Sequence, residues 1–403
     1  MTREKTTPFV AVQLATFLWG IAVVPVAMIL LVVAVTWTGR VFAVAAAFAG
    51  IAPLVGTLAW HRGTSFWRHA AIVIVAVCLV LSGVSVWRAP DGGPRTGVRV
   101  QHLDTGGGWR FRRFAPGNVL PEVDQLMLGF TIMPFLDPLF TGTQASHLKR
   151  WTAGIYAELE RDADFHDLGS VLPDVASECL GLGENRGHAY LYVPRGADRS
   201  QPHPVLVFFH GSGGNFKAYL WLLSRVADQL DLVVVAPSFG LGNWQSPDTE
   251  KTVAATLIAA QKIVKIDPAA IHLLGLSNGG LAVSQLACEP GSRYRSYGFL
   301  SPVFDVERVK EAARKGLWQS KSVLVFSGLR DDRVPADYVR DQAAAIQRGG
   351  GQVQIEFVED ADHFLFFSHR EQTIERLTSW LAGSGVFRSR AKDDTRPTGR
   401  KDF

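Results

Sequence analysis

The stretch from residue 271 to residue 280 constrains the fold of this chain more than any other. It begins with an apolar run that ends at Leu276, which predicts a buried strand, and an apolar helical pattern follows Gly280. Between the two lies Gly-Leu-Ser-Asn-Gly, with its serine at Ser277. Glycines on both sides of the serine permit a sharp strand-to-helix turn, because they remove Cβ atoms that would collide. The pattern therefore predicts a strand whose end presents a serine hydroxyl.

Three long apolar segments occupy the amino-terminal region at residues 9–38, 41–60 and 70–87. Each approaches the roughly 20 residues that a helix needs to cross a bilayer core, and tryptophans lie at the segment ends. A secretory signal peptide is the alternative for the first segment, but its apolar stretch is too long for one. We therefore expect residues 1–87 to form three transmembrane helices, with the lipid bilayer as a partner.

The orientation of these helices rests on positive charges that flank them. Arg3, Lys5, Arg62 and Arg68 fall on one side, and Arg40, Arg88, Arg95 and Arg99 fall on the other, so the two sides are tied. The free α-amino group favours a cytoplasmic amino terminus. The expectation is a multi-pass protein of the cell membrane with an extracytoplasmic main domain.

Residues 88–186 are interpreted as a linker followed by a helical pre-domain. Gly, Pro and Arg are frequent in residues 88–123, and a helix is predicted at residues 144–161. The apolar stretch 126–136 is too short to span a bilayer. An interfacial segment, a pocket wall and simple packing onto the main domain all fit it.

Strand and helix patterns alternate over residues 187–383. Strands are predicted at 189–193, 204–209, 232–235, 323–326 and 353–358, in addition to the one before Ser277, and helices at 216–230, 249–265, 279–288, 336–348 and 370–382. Fully apolar strands separated by helices predict an α/β domain whose mostly parallel, doubly wound sheet is covered on both faces. Residues 384–403 are polar and basic and are interpreted as a disordered tail.

Two groups that could activate the serine follow predicted strands. A serine hydroxyl needs a base to take its proton, and the base needs a carboxylate to orient it. The loop after the strand 323–326 offers Asp331 and Asp332, and His363 follows the strand 353–358. The order Ser277, Asp331, His363 is the order of α/β-hydrolases. Weaker candidates for the acid are Asp305, Asp360 and Asp362.

An oxyanion would need two backbone N–H donors beside Ser277. The N–H of Asn278 is one. The second is expected from the turn His210-Gly211-Ser212-Gly213-Gly214, where Ser212 is the first choice and Gly213 the second. This turn lacks the pattern of a phosphate-binding loop.

Residues 187–383 resemble serine esterases of the α/β-hydrolase superfamily, in particular polyhydroxybutyrate-depolymerase-like, feruloyl-esterase-like and dienelactone-hydrolase-like esterases, which share the His-Gly-x-Gly-Gly turn. The sharp strand-to-helix turn at Ser277-Asn278-Gly279-Gly280, called the nucleophile elbow, is also similar to that of prolyl-oligopeptidase-type peptidases. Such a peptidase would carry a β-propeller, and residues 88–186 are too few and too helical for one.

This resemblance implies a cofactor-free, metal-free hydrolase of small-molecule or lipid-like esters that works through an acyl-enzyme. Gly-x-x-Asp-x-x-Val-Pro is an acid loop of the superfamily and selects Asp331. An acyltransferase or a peptidase would use the same residues, whereas a non-catalytic binding module would be expected to lack one of them. A lid is expected from 236–250, with Phe239 and Trp244, or from 124–143.

Charge and cysteine content narrow the range of functions. Residues 1–113 carry 11 Lys and Arg against 3 Asp and Glu, whereas residues 114–387 carry 24 against 31. The folded middle has no basic stripe, which argues against a nucleic-acid partner. The 3 cysteines have no metal-site spacing. A Cys179–Cys288 disulfide remains open, and no pattern indicates an oligomeric state.

Overall fold

The computed structural model describes residues 6–92, 98–104, 113–165, 167–170, 172, 186–242, 244 and 248–383. The interpreted tail 384–403 and Cys179 lie outside the described residues. The chain forms two compact units. The helical unit comprises Met1–Arg95, Gly107–Asn185 and Phe216–Ala218, and the sheet unit comprises Thr96–Gly106, Arg186–Asn215 and Tyr219–Phe403.

Three helices of the helical unit are long and apolar enough to cross a bilayer. They are α1 (Thr6–Val33), α2 (Trp37–Arg62) and α3 (Ser65–Arg88). The first ends earlier than the sequence pattern predicts. The apolar stretch is divided into two helices at Thr36, because the Thr36 hydroxyl accepts from the N–H of Gly39 at 2.9 Å and caps the start of α2.

The rest of the helical unit contains α4 (Pro116–Val119), α5 (Glu122–Leu136) and α6 (Gly142–Leu159). The apolar stretch 126–136 forms most of α5. The helix predicted at 144–161 is α6, which starts at a capping box between Thr141 and Gln144. Leu148, Ile155 and Leu159 on α6 are buried, as expected for its apolar stripe.

The sheet unit contains one eight-stranded sheet in the order β1-β2-β4-β3-β5-β6-β7-β8. Its strands are β1 (Val100–Asp104), β2 (Arg186–Tyr192), β3 (His203–Phe209), β4 (Val233–Phe239), β5 (Ile266–Leu276), β6 (Ser296–Leu300), β7 (Ser322–Gly328) and β8 (Gln352–Val358). β2 is antiparallel to β1 and β4, and all neighbours from β4 through β8 are parallel. The predicted mostly parallel sheet is confirmed.

Helices separate most of the parallel strands, which is what parallel connections require. They are α7 (Lys217–Leu230), α8 (Thr249–Gln261), α9 (Gly279–Cys288), α10 (Val306–Arg314), α11 (Ala336–Arg348), α12 (Leu365–Ser368) and α13 (Arg370–Ala382). Strands β3 and β4 are almost wholly buried, so their residues are apolar without alternation.

Two strands lie where the sequence pattern predicted none. β1 falls within the stretch 88–123 that was interpreted as linker, and it is part of the sheet unit. β6 is short and has Gly298 at its centre, which weakens a strand pattern. A Cβ at Gly298 would lie 2.7 Å from Leu274 and 3.1 Å from the Trp380 ring, so packing explains the glycine.

Candidate active site

Ser277 stands at the sharp turn between β5 and α9. Its φ is +49°, a value that is rare for a residue with a side chain and costs on the order of 1–3 kcal/mol. A Cβ at Gly275 would fall 2.5 Å from the carbonyl carbon of Gly279, and one at Gly279 would overlap the carbonyl oxygen of Phe209. The two glycines are therefore required for the turn that the sequence predicted.

Backbone hydrogen bonds hold this turn in place. The N–H of Ser277 donates to the carbonyl of Leu300 at 2.9 Å, and its carbonyl accepts from Gly280 and Val303, both at 2.9 Å. These bonds tie the serine to the end of β6 and to the loop that follows it. The strained φ of Ser277 is thus maintained by its surroundings.

His363 lies in the turn after β8 and contacts both other residues predicted for the site. Its Nε2 is 2.9 Å from the Ser277 Oγ, and its Nδ1 is 2.8 Å from the Asp331 Oδ2. Because the carboxylate accepts from Nδ1–H, the Nε2 atom is left to accept the serine proton. The side chains of His363 and Asp331 are 10% and 0% exposed, so the chain of hydrogen bonds is shielded from water.

The Asp331 carboxylate is held by the loop that follows β7. Its other oxygen, Oδ1, accepts from the N–H groups of Arg333 at 3.0 Å and Val334 at 2.8 Å. The Asp331 loop and the His363 loop are also joined directly. The N–H of Leu329 donates to Val358 at 2.8 Å, and that of Arg330 donates to Ala361 at 3.0 Å.

The other carboxylates considered from the sequence have different partners. Asp305 accepts from the N–H of Arg308 at the start of α10, and Asp362 accepts from the N–H of Phe364. Asp360 lies 3.2 Å from the Nε2 of His369. Asp332 is exposed on the loop surface. Asp331 is the carboxylate that meets His363.

The glycine-rich turn after β3 passes beside Ser277. A Cβ at Gly211 would lie 3.1 Å from the Ser277 Cβ. The N–H of Gly213 already donates to Leu241 at 3.2 Å. Within the described ranges, the N–H groups of Ser212 and Asn278 donate to no protein acceptor. Of the three predicted oxyanion donors, these two have an available N–H.

His210 fixes the conformation of the same turn through two hydrogen bonds of its ring. Its Nδ1–H donates to the Gly211 carbonyl at 2.7 Å, and its Nε2 accepts from the N–H of Phe239 at 3.0 Å. Burial lowers the pKa of His210 to about 4, so the imidazole is neutral at pH 7. A neutral ring with one donor and one acceptor matches both partners.

Trp244 completes the support of this turn. Its indole N–H donates to the His210 carbonyl at 2.8 Å, and its ring stacks on Phe239 with centroids 4.6 Å apart. Trp244 and Phe239 are both buried. The expectation that these aromatic residues belong to a lid is wrong, because they form part of the core beneath the turn.

Comparison with known proteins bears on this unit. Residues 289–384 match the prolyl oligopeptidase family, a stretch that contains Asp331 and His363 and begins after Ser277. No curated protein matches the sequence. Solved structures that resemble the chain include a thermophilic esterase of Thermogutta terrifontis with butyrate bound (17% identity, 51% of this chain and 91% of that chain, TM-score 0.43). The same organism's esterase 2 phosphorylated by paraoxon is another (18% identity, 50% and 91%, TM-score 0.44).

The sheet unit has the α/β-hydrolase fold, and residues 289–384 of it match a family of serine hydrolases.

Some features of this candidate site were not predicted from the sequence. The side-chain amide of Asn278 donates to the Ser212 hydroxyl at 2.7 Å and joins the elbow to the glycine-rich turn. The supporting roles of His210 and Trp244 were missed as well. A histidine directly before a glycine run was a usable signal for His210, whereas nothing near Trp244 in sequence indicates its contact with residue 210.

Possible metal ligands and thiols are the remaining reactive groups of the described residues. Among the described residues, no three His, Cys, Asp or Glu side chains are grouped closely enough to hold a metal ion. Cys288 is a buried thiol, and burial raises its pKa to about 12. At pH 7 it is protonated and unreactive.

Proposed function

We propose that this protein is a membrane-anchored serine hydrolase that cleaves carboxylic esters through an acyl-enzyme. Ser277 is the nucleophile, His363 the general base and Asp331 the residue that orients His363. The observation that carries the proposal is the pair of contacts at His363, 2.9 Å to Ser277 and 2.8 Å to Asp331. Both distances are within the hydrogen-bonding range that proton transfer requires.

The steps follow from these contacts. His363 Nε2 removes the Ser277 proton as Oγ attacks the ester carbonyl, and the N–H groups of Asn278 and Ser212 stabilise the oxyanion. The imidazolium then protonates the leaving alcohol as the C–O bond breaks. Water then attacks the acyl carbonyl as His363 takes its proton. The Ser277 Oγ–acyl bond breaks, the imidazolium returns the proton to Oγ, and the carboxylic acid is released. Asp331 stabilises the imidazolium.

The anchor in this proposal is the set of helices α1 to α3. The substrate class that suits it is a small-molecule or lipid-like ester, because a bilayer concentrates such compounds near a tethered enzyme. The flanking positive charges are equal in number on the two sides, and we propose that the hydrolase unit is extracytoplasmic. Protease added to intact cells would then degrade the unit, and protection until lysis would reverse the assignment.

A Ser277→Ala variant tests the catalytic proposal. Wild-type protein should react with a fluorophosphonate probe and hydrolyse short p-nitrophenyl esters, and the variant should do neither. Ser368→Ala is a matched control, since the Ser368 hydroxyl also contacts a histidine, His369, at 2.8 Å. It should keep both activities. Labelling that survives in Ser277→Ala would assign the nucleophile elsewhere.

A peptidase is the second candidate, because the matched family is prolyl oligopeptidase. The same Ser277 and His363 would act on an amide, whose leaving amine must be protonated before the C–N bond breaks. Matched ester and anilide substrates with one acyl group distinguish the two. A kcat/KM for the anilide that equals or exceeds that for the ester would favour the peptidase.

A further inference from the structure

The corner between α5 and α6 in the helical unit has an unusual combination of exposed apolar side chains and internally bonded backbone. We define this apolar corner as residues 130–141. Phe135 and Leu136 at the end of α5 are 86% and 72% exposed. Asp137 is the only charged residue in the whole stretch 125–146. Exposed aromatic and aliphatic residues of this size are typical of a surface that contacts lipid or protein.

The start of α5 lies at the turn between α1 and α2. The buried carboxylate of Asp124 accepts from the N–H of Val35 at 2.7 Å, and from the N–H and hydroxyl of Thr36. A side chain at Gly39 would overlap this carboxylate, so the approach is close. If α1 and α2 cross a bilayer, their shared turn is at the membrane surface, and α5 begins there.

Close to this turn, α5 packs against α1 and α2. Leu128, one turn after Asp124, packs against the cluster of Leu30, Ala34 and Ala43 on α1 and α2. At 1.5 Å per residue, Leu136 lies about 18 Å from Asp124 along the helix axis. The apolar corner is therefore at the end of a helix that starts at the α1–α2 turn and packs on the same two helices.

The backbone of the corner suits a medium without water. The N–H of Asp137 donates to Met133 at 2.8 Å, and those of Leu139 and Phe140 donate to the Asp137 side chain and carbonyl at 2.9 and 3.0 Å. The N–H of Thr141 donates to the Gln144 side chain at 3.0 Å. Pro138 has no N–H. Every backbone N–H from residue 137 to 141 therefore has a local hydrogen-bond acceptor. Backbone groups need such partners in the hydrocarbon core of a bilayer, whereas in water they can bond to solvent.

We propose that the apolar corner inserts into the lipid bilayer beside α1 and α2, as a fourth membrane-contacting element of the chain. The proposal concerns the helical unit and is independent of the catalytic assignment. Its occupant is lipid rather than protein, because the corner continues from helices that are themselves long and apolar enough to lie in a bilayer.

Spin labelling of the full-length protein in phosphatidylcholine and phosphatidylglycerol vesicles tests insertion. In a background without the three native cysteines, a nitroxide is placed by Phe135→Cys. Two controls use side chains of similar exposure, Val73→Cys on α3 (59%) and Ile258→Cys on the sheet unit (58%). Oxygen partitions into hydrocarbon and a charged nickel chelate does not.

The ratio of oxygen to chelate collisions at residue 135 should match that at residue 73, and exceed that at residue 258 about tenfold. A ratio like that at 258, or protection from both reagents, would overturn the proposal. If the labelled variant fails to fold, photolabelling of wild-type protein with a diazirine phospholipid decides. Adducts within residues 130–141 support insertion, and their absence there while α3 is modified refutes it. Ester hydrolysis, measured separately, reports on the catalytic proposal alone.

Discussion

The side-chain amide of Asn278 donates to the Ser212 hydroxyl across 2.7 Å. This bond joins the residue after the proposed nucleophile to Ser212, whose N–H is the other proposed oxyanion donor. Neither side chain supplies the proposed oxyanion donors, which are backbone groups. The bond is therefore suited to fixing the distance between the two N–H groups.

Removing this bond should lower kcat with little change in KM. We expect Asn278→Ala and Ser212→Ala each to reduce kcat about tenfold, because a misplaced oxyanion donor loses transition-state stabilisation. The double variant should lose little more than either single one, with a coupling of about 1 kcal/mol. Fully additive losses would show that the two side chains act independently.

The acid of the site can be separated from its neighbour. Asp331→Asn should lower kcat by about 10⁴-fold, because the histidine loses its orienting carboxylate. Asp332→Asn changes the same charge on an exposed neighbour and should leave kcat within about twofold of wild type. Steady-state ester hydrolysis at pH 8 measures both. A large loss of kcat in Asp332→Asn, with none in Asp331→Asn, would identify Asp332 as the acid.

The elbow should not accept a side chain at Gly279. A Cβ there would overlap the Phe209 carbonyl, so Gly279→Ala should abolish probe labelling or folding. Gly154→Ala is the control, since Gly154 lies within α6 with open space around it. Alanine there should raise stability by up to about 1 kcal/mol. Expression, melting temperature and labelling of the two variants are compared.

Stability should fall in mild acid because two histidines are buried as neutral groups. Burial lowers the pKa of both His210 and His272 to about 4, whereas an unfolded histidine has a pKa of about 6.5. Their contribution is complete above about pH 6.5 and is lost as the pH falls toward 4, since the unfolded chain then binds protons that the folded chain does not. The slope is about 1.4 kcal/mol per pH unit for each histidine.

Melting temperatures of the full-length protein at pH 7, 6 and 5 check this dependence. His272→Gln removes one of the two groups without touching the active site, so its melting temperature should fall less steeply with pH than that of wild type. Parallel curves for the two proteins would mean that His272 does not contribute.

The site residues that lie at the ends of strands were predictable from the sequence. Ser277, Asp331 and His363 each follow an apolar run, and parallel strands bring their carboxyl ends to one edge of a sheet. β1 and β6 were not predictable, because a short or glycine-containing strand is stabilised by neighbours distant in sequence. The contact between Trp244 and His210 is equally non-local, and its residues have no shared pattern.

The two backbone bonds between the Asp331 loop and the His363 loop have a mechanical consequence. Gly328 lies so close to the carbonyls of Ala361 and Asp362 that the loops pack without intervening side chains. A thermal displacement of one loop will carry the other with it. The proposed acid and base are therefore expected to move together, so that thermal motion changes their distance to Ser277 more than the distance between them.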